Sequence, residues 1–431
     1  MKNLILLLLV LAQSLVTFAG DEIPGAPQQT PIVLKNAVLY GTPTMNPQPQ
    51  SLVFERGIIT EIGQNVTIPA NARVIDCSGK RVYAGFIAPY STLGLTEVDA
   101  VRSTRDMAET GSFNPNVRAE TAYNPDSEIL PTVRVNGVLI ANSVPQGGVV
   151  SGRSSLMRLD GWTREDIAIQ AASALVLTWP SMEVSTGRWA GKSADEQRKD
   201  IVENVRNIHD LFAKARAYSN AAQAGVDTAQ RDIRYEAMRG VFERNLPVMI
   251  TATTRRQIEA VLDFQAEFQV RVILVDAWDA PRMIPQLQKA GVGIIIPRVH
   301  SLPRREEDGY DAAFVLPKIL ADNNIPFAFS DDGSWQQRNL PFLAGTARAF
   351  GLSEYAAVKA LTIWPAMLFG IESKYGSLEV GKSATLFVSD GDALDAKSNK
   401  LTAAFIDGRE VDLSTRHTRL AKKYRERLQR K

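Results

Sequence analysis

The side chains able to do chemistry are few and scattered. His209, His300 and His417 are the only histidines of the chain. No two of them stand two or four residues apart, the spacings that set paired imidazoles on one strand or helix face. A hydrolytic zinc site takes about three imidazole or carboxylate ligands and keeps an open position. These histidines do not form such a set by spacing. His209 lies in a charged helical stretch, His417 in a basic tail, and His300 just after an apolar strand-like run. For each, a solvated or structural role is the ordinary reading. The carboxylates are better grouped. Asp276 ends the run Arg271-Val-Ile-Leu-Val-Asp, and Asp331-Asp332-Gly333 follows Pro326-Phe-Ala-Phe-Ser. Asp276, Asp331 and Asp332 could together hold a hard cation such as Mg²⁺ or Ca²⁺, or they could cap turns and helices. Ser154, Ser330 and Cys77 are conceivable nucleophiles, but none has a histidine placed in a recognisable pattern. Trp335, soon after the aspartate pair, is the best candidate for a pocket aromatic, although tryptophans are more often core.

The elements that must position these groups fall into two kinds. Residues 31–83 hold short runs of half-buried strand character, such as Ser51-Leu-Val-Phe-Glu-Arg-Gly-Ile-Ile-Thr and Ala72-Arg-Val-Ile-Asp. That character returns in Ala384-Thr-Leu-Phe-Val and Ala403-Ala-Phe-Ile-Asp-Gly-Arg-Glu-Val. The two ends therefore predict one small sheet unit, with boundaries at 31–84 and 373–412. Between them, apolar runs (Leu246-Pro-Val-Met-Ile-Thr, Arg271–Asp276, Gly293-Ile-Ile-Ile, Pro326-Phe-Ala-Phe) alternate with stretches of helical spacing at 255–268, 280–290 and 312–323. Buried parallel strands joined by helices predict an α/β sheet. Residues 85–372 are long enough for one (β/α)8 barrel, and an open doubly wound sheet fits nearly as well. The absence of a Gly-x-Gly-x-x-Gly or phosphate-cradling loop weakens a nucleotide-binding version. Gly111–Pro131 reads as an ordered rim loop, and Ser143-Val-Pro-Gln-Gly-Gly-Val-Val-Ser-Gly as a tight loop, beside a pocket or simply a turn.

Charge is unevenly distributed. From Leu413 to Lys431 there are eight Lys or Arg and one acid, Glu426; the rest of the chain carries 41 basic and 46 acidic residues. Leu413, Leu420, Tyr424 and Leu428 recur at helical spacing in that tail, so it predicts a basic helix that docks loosely or meets an acidic partner or anionic surface. Nothing in the rest of the chain suggests nucleic acid. At the other end, Lys2, the aliphatic run Leu4–Leu11 and Thr17-Phe18-Ala19 predict an export signal over residues 1–20, and hence a periplasmic or secreted protein with no spanning helix once the signal is removed. Cys77 stands alone, so no internal disulfide is expected.

Tyr83-Ala-Gly-Phe-Ile-Ala-Pro-Tyr-Ser-Thr-Leu-Gly-Leu resembles the first barrel strand of amidohydrolases such as imidazolonepropionase, where a Pro-Gly-Leu-Ile-Asp-x-His-x-His-Leu pattern is usual. Ala360-Leu-Thr-Ile-Trp-Pro-Ala-Met-Leu-Phe-Gly-Ile, with Gly376-Ser-Leu-Glu-Val-Gly-Lys-Ser-Ala-Thr-Leu-Phe-Val, is similar to that family's closing signature, and Phe405-Ile-Asp-Gly-Arg-Glu-Val to its last strand. The resemblance spans 31–412. It implies a metal-dependent hydrolase of C–N bonds in amides, cyclic amides or dipeptide-like substrates, with a barrel and a composite β-sandwich. It also implies departures. Tyr90 and Thr92 stand where the family places two first-strand histidines, Thr251 where a fifth-strand histidine would sit, and Asp276 near a sixth-strand one. Asp331 alone keeps the pattern, matching the eighth-strand aspartate that binds metal or takes a proton from water. Hydroxyls of Thr and neutral Tyr are poor zinc ligands. The expectation is therefore a degenerate site without the family's zinc, in which Asp331 is the candidate catalytic group. Tyr90, Thr92, Thr251, Asp276, His300, Asp332 and Trp335 would then line a pocket for a small molecule. A non-catalytic binding protein, a homo-oligomer, or a structural subunit of an intact amidohydrolase paralogue is the alternative.

Overall fold

The structure is a computed structural model that describes residues 23–185, 191–225, 231–331 and 333–430. The expected export signal and Asp332 lie outside the described residues.

The chain ends build one sheet. β1 (Ile32–Tyr40), β2 (Asn46–Glu55), β3 (Ile58–Gly63), β4 (Arg73–Asp76) and β5 (Arg81–Ala84) come from the amino-terminal side. After the barrel, β14 (Leu386–Ser389), β15 (Leu401–Ile406) and β16 (Arg409–Glu410) join them in the order β16-β15-β14-β5-β1-β2-β3, with β4 paired to β1. β14 is antiparallel to β5, with Phe387 opposite Tyr83. Their rings stack with centroids 5.2 Å apart, and Tyr83 also stacks on Tyr40 at 4.6 Å.

One residue, Gly85, separates β5 from the barrel. β6 (Phe86–Ser91), β7 (Val138–Ser143), β8 (Val150–Arg158), β9 (Ala168–Thr178), β10 (Val248–Thr251), β11 (Val272–Val275), β12 (Gly293–Ile295) and β13 (Phe327–Ala328) pair in sequence order as an eight-stranded sheet. Residues 360–361 sit between its first and last strands: the Ile87 N–H donates to Leu361 O and the Phe329 N–H to Ala360 O. The alternation of each strand explains the two-sided burial. In β10, Val248 and Ile250 pack outward, while Met249 faces a second cluster with Ile87, Ile140, Leu156, Val176, Ile273, Ile295 and Ala328 that fills the interior. These short aliphatic runs are buried on both faces, as parallel strands inside helices must be.

The barrel differs from eight repeated strand–helix units in one sector. β8 runs antiparallel to both β7 and β9. The residues joining β7 to β8 are too few for a helical crossover, which needs a dozen or more, so the chain turns back as a hairpin. Gly147 and Gly148 take φ of 87° and 68° there, and a Cβ on Gly148 would come 2.9 Å from Gly111 O. The glycine-rich loop is thus a hairpin turn, and it also borders a cavity of about 360 Å³ with Thr178 and Trp179. The rim segment 111–131 lies along β8, bridging at Phe113–Val150 and Arg118–Arg153.

Both chain ends are fastened by one buried ion pair. Arg134 and Asp160 meet at 3.2 Å with side chains 4% exposed. Asp160 also accepts from the Gly25 N–H, and Arg134 donates to the Leu159 and Asp412 carbonyls. Removing one partner of such a pair leaves a buried uncompensated charge. Asp160→Ala should therefore lower unfolding free energy by about 3–5 kcal/mol, measured by urea denaturation. A loss below about 1 kcal/mol would show that the pair does not fasten the ends.

Candidate functional site

In a barrel of this kind, chemistry gathers where the parallel strands end in their carboxyl termini. Tyr90 is near the end of β6 and Thr92 just past it, Thr251 closes β10, Asp276 follows β11, and Asp331 follows β13. Gln337 draws two of these together. It is fully buried, and its Nε2 donates to Tyr90 O at 3.1 Å, Asp331 O at 2.7 Å and Gly333 O at 3.0 Å. The Thr92 N–H reaches Gly333 O as well. Tyr90 and Asp331 are therefore neighbours through their backbones, held by a glutamine that no motif in the sequence singled out.

The Asp331 side chain is 0% exposed, and Arg298 Nε lies 3.1 Å from its Oδ1. Arg298 follows β12, two residues before His300. Asp276 is occupied in a similar way. It takes a left-handed φ of 60°, a region that aspartate tolerates better than most residues. Its carboxylate accepts from Thr253 Oγ1 at 2.8 Å and from both Arg304 Nη atoms at 2.9 and 2.6 Å. A two-point guanidinium–carboxylate fork is among the strongest hydrogen-bonded ion pairs. Asp276 and Asp331 thus each already face a cation supplied by the segment after β12.

That segment is strapped across the strand ends. The Arg304 guanidinium lies 4.9 Å above the Trp278 ring. Arg305 forks onto Asp279 with two bonds of 2.7 Å, and Asp308 accepts from the Arg304 and Arg305 N–H groups and from Trp278 Nε1. Burial opposes ionisation of Asp279, yet the Arg305 fork and the Arg255 N–H hold its carboxyl below the usual value. Leu302 and Tyr310, which flank these anchors, are 85% and 79% exposed.

The remaining candidates go elsewhere. His300 is exposed and bonds Thr346 Oγ1 at 2.7 Å through Nε2, on the helix Leu340–Ala349. Partial burial and then the Arg298 charge lower its pKa. Trp335 meets the His417 ring edge-on at 6.0 Å, facing the carboxyl-terminal helix. His209 pairs with Glu267 at 2.9 Å beside Trp179, Phe264 and Phe268. Ser154 is buried and shares a 2.8 Å bond with Ser173, which donates to Asn142 Oδ1 at 2.6 Å. Asn142 in turn donates to Pro89 O. This chain of bonds ties β6, β7, β8 and β9 within the barrel, and no cue in the sequence pointed to it. Ser330 Oγ donates to Ile296 O, and burial pushes the Cys77 thiol up to about 11. None of these is an activated nucleophile.

Among the described residues there is no group of three or more His, Cys, Asp or Glu side chains able to hold a metal ion. Among the described residues, the donors at the mouth are hydroxyls and the carboxylates of Asp276 and Asp331, each already paired with a guanidinium group, and that set does not fit zinc.

The sequence model of the amidohydrolase family matches residues 164–411, and the chain belongs to that family. An amidohydrolase from Thermotoga maritima MSB8 is similar in structure, with a TM-score of 0.78 at 22% identity over 88% of this chain and 99% of that one. A prolidase complexed with N-methylphosphonate-L-proline gives 0.53 at 14% identity, over 89% of this chain and 100% of its own. Phenylurea hydrolase B gives 0.53 at 15% identity, over 89% and 97%. At these identities the likeness establishes the fold. None of the curated proteins matches the chain.

Two measurements follow from this geometry. In Arg304→Ala/Arg305→Ala, chymotryptic cleavage after Tyr310 should accelerate by about tenfold or more, because charge-assisted hydrogen bonds that hold the segment are gone. Unchanged cleavage would mean the forks do not restrain it. An NMR titration of His300 should give a midpoint below the ordinary value of about 6.5, moving upward in Arg298→Gln as the neighbouring charge is removed.

Proposed function

We propose that the chain is an amidohydrolase-family barrel with a degenerate metal site, which binds a small polar molecule at the barrel mouth and is weakly active or inactive as a hydrolase. The observation that carries this reading is the pairing of Asp331 with Arg298 and of Asp276 with Arg304. A metal competing for these carboxylates would have to displace a guanidinium from each. Tyr90, Thr92 and Thr251 occupy the strand-end positions where the family resemblance calls for imidazoles. Hydroxyl oxygens donate weakly to zinc unless deprotonated.

The first-strand and closing motifs ally the chain with imidazolonepropionase-like members of the family. Hydroxyls and a partly exposed guanidinium at the mouth suit a ligand carrying a carboxylate or amide. The amino-terminal pattern of Lys2, Leu4–Leu11 and Thr17-Phe18-Ala19 supports export to the periplasm or outside the cell.

Elemental analysis after dialysis against a mild chelator, with thermal melts in the presence and absence of zinc, tests the reading. The expected result is no retained zinc and no rise in melting temperature, since a ligand that binds only the native state must raise it. A retained equivalent, or a saturable stabilisation by micromolar zinc that disappears in Asp331→Ala, would restore a metal-dependent hydrolase.

A further inference from the structure

The two ends of the described chain leave the body at one place. The Gly25 N–H is held by Asp160, and Arg134, the partner of Asp160, holds the carbonyl of Asp412. Three residues on, Thr415 caps the helix Arg416–Gln429, its side chain accepting from the Thr418 N–H. The first turn leans on the body, His417 against Trp335 and Arg419 toward Glu128 at 3.4 Å. From Leu420 to Arg430 every residue is exposed. Along that length Leu420, Tyr424 and Leu428 recur every fourth residue and so share one face. Lys422, Lys423, Arg425, Arg427 and Arg430 surround them, with Glu426 the one acid.

We infer that this helix lies on an anionic lipid bilayer and holds the barrel at that surface. A narrow apolar stripe flanked by long cationic side chains, with low hydrophobicity overall, is the pattern of a helix that rests in the interface plane. The lysine and arginine stems cover apolar surface while their charges stay among headgroups. Charge argues against the same helix of a second copy as the occupant, since two such cationic faces repel.

Co-sedimentation of the purified full chain with vesicles of phosphatidylcholine, alone or mixed with phosphatidylglycerol, tests the inference. Binding is expected with the anionic vesicles and not the neutral ones, and it should weaken as added salt shortens the screening length. Lys422→Gln/Lys423→Gln/Arg427→Gln alters only exposed positions; it should bind roughly a hundredfold more weakly. Leu420→Ser/Leu428→Ser should also bind less, which separates interfacial seating from charge attraction alone. Unchanged melting curves would confirm that both variants fold. Absence of binding to anionic vesicles at low salt, as expected if the helix instead serves an acidic protein, would overturn the inference. So would equal binding to neutral vesicles, or an unchanged affinity in the glutamine variant.

Discussion

A carboxylate with no solvent on its side chain needs a counter-charge, and at Asp331 that need organises the mouth of the barrel. Arg298 supplies the charge, which fixes the course of the chain leaving β12. From there the segment must cross the ends of β11 and β10, where Arg304 and Arg305 find Asp276 and Asp279. Gln337 performs the complementary task on the backbone side, tying the end of β6 to the turn after β13. The barrel mouth is thus held by guanidinium–carboxylate pairs on one side and by a glutamine bonded to backbone carbonyls on the other.

Much of the architecture was readable in the chain because its signals are local. The aliphatic runs of β10 to β13, separated by helical spacing, could only be buried strands joined by helices, and the strand-rich ends matched each other in character. The antiparallel β8 was harder to read. Its sequence, Val-Ser-Gly-Arg-Ser-Ser-Leu-Met-Arg, is more polar than that of its neighbours, and the clue to its direction is the shortness of the Pro145-Gln-Gly-Gly turn, since strand direction depends on connection length rather than on the strand's own residues.

The site was legible in half. Asp276 and Asp331 announce themselves as carboxylates at strand ends, and the structure puts both at the mouth. What the one-dimensional pattern hid was the identity of their partners, since Arg298 and Arg304 lie far away in sequence, and neither they nor the nearby Gln337 belong to a motif. Arginines in a rim segment ordinarily read as solvated charge. A count of cations following β12 against carboxylates following β11 and β13 would have been the signal. Trp335 and His300 show that proximity in sequence to a strand end does not fix which way a side chain turns: they meet the helices Arg416–Gln429 and Leu340–Ala349.

The hairpin between β7 and β8 bears on the evolvability of the molecule. A barrel normally diversifies by lengthening the connections that follow its strands at the mouth. In this sector the connection is a glycine turn pressed against Gly111 and Ser112, with no space beside Gly148 for even a methyl group. Lengthening it would unseat the rim segment that covers β8. New recognition chemistry is therefore left to the connections that follow the other strands at the mouth, of which those after β6, β9 and β12 are long.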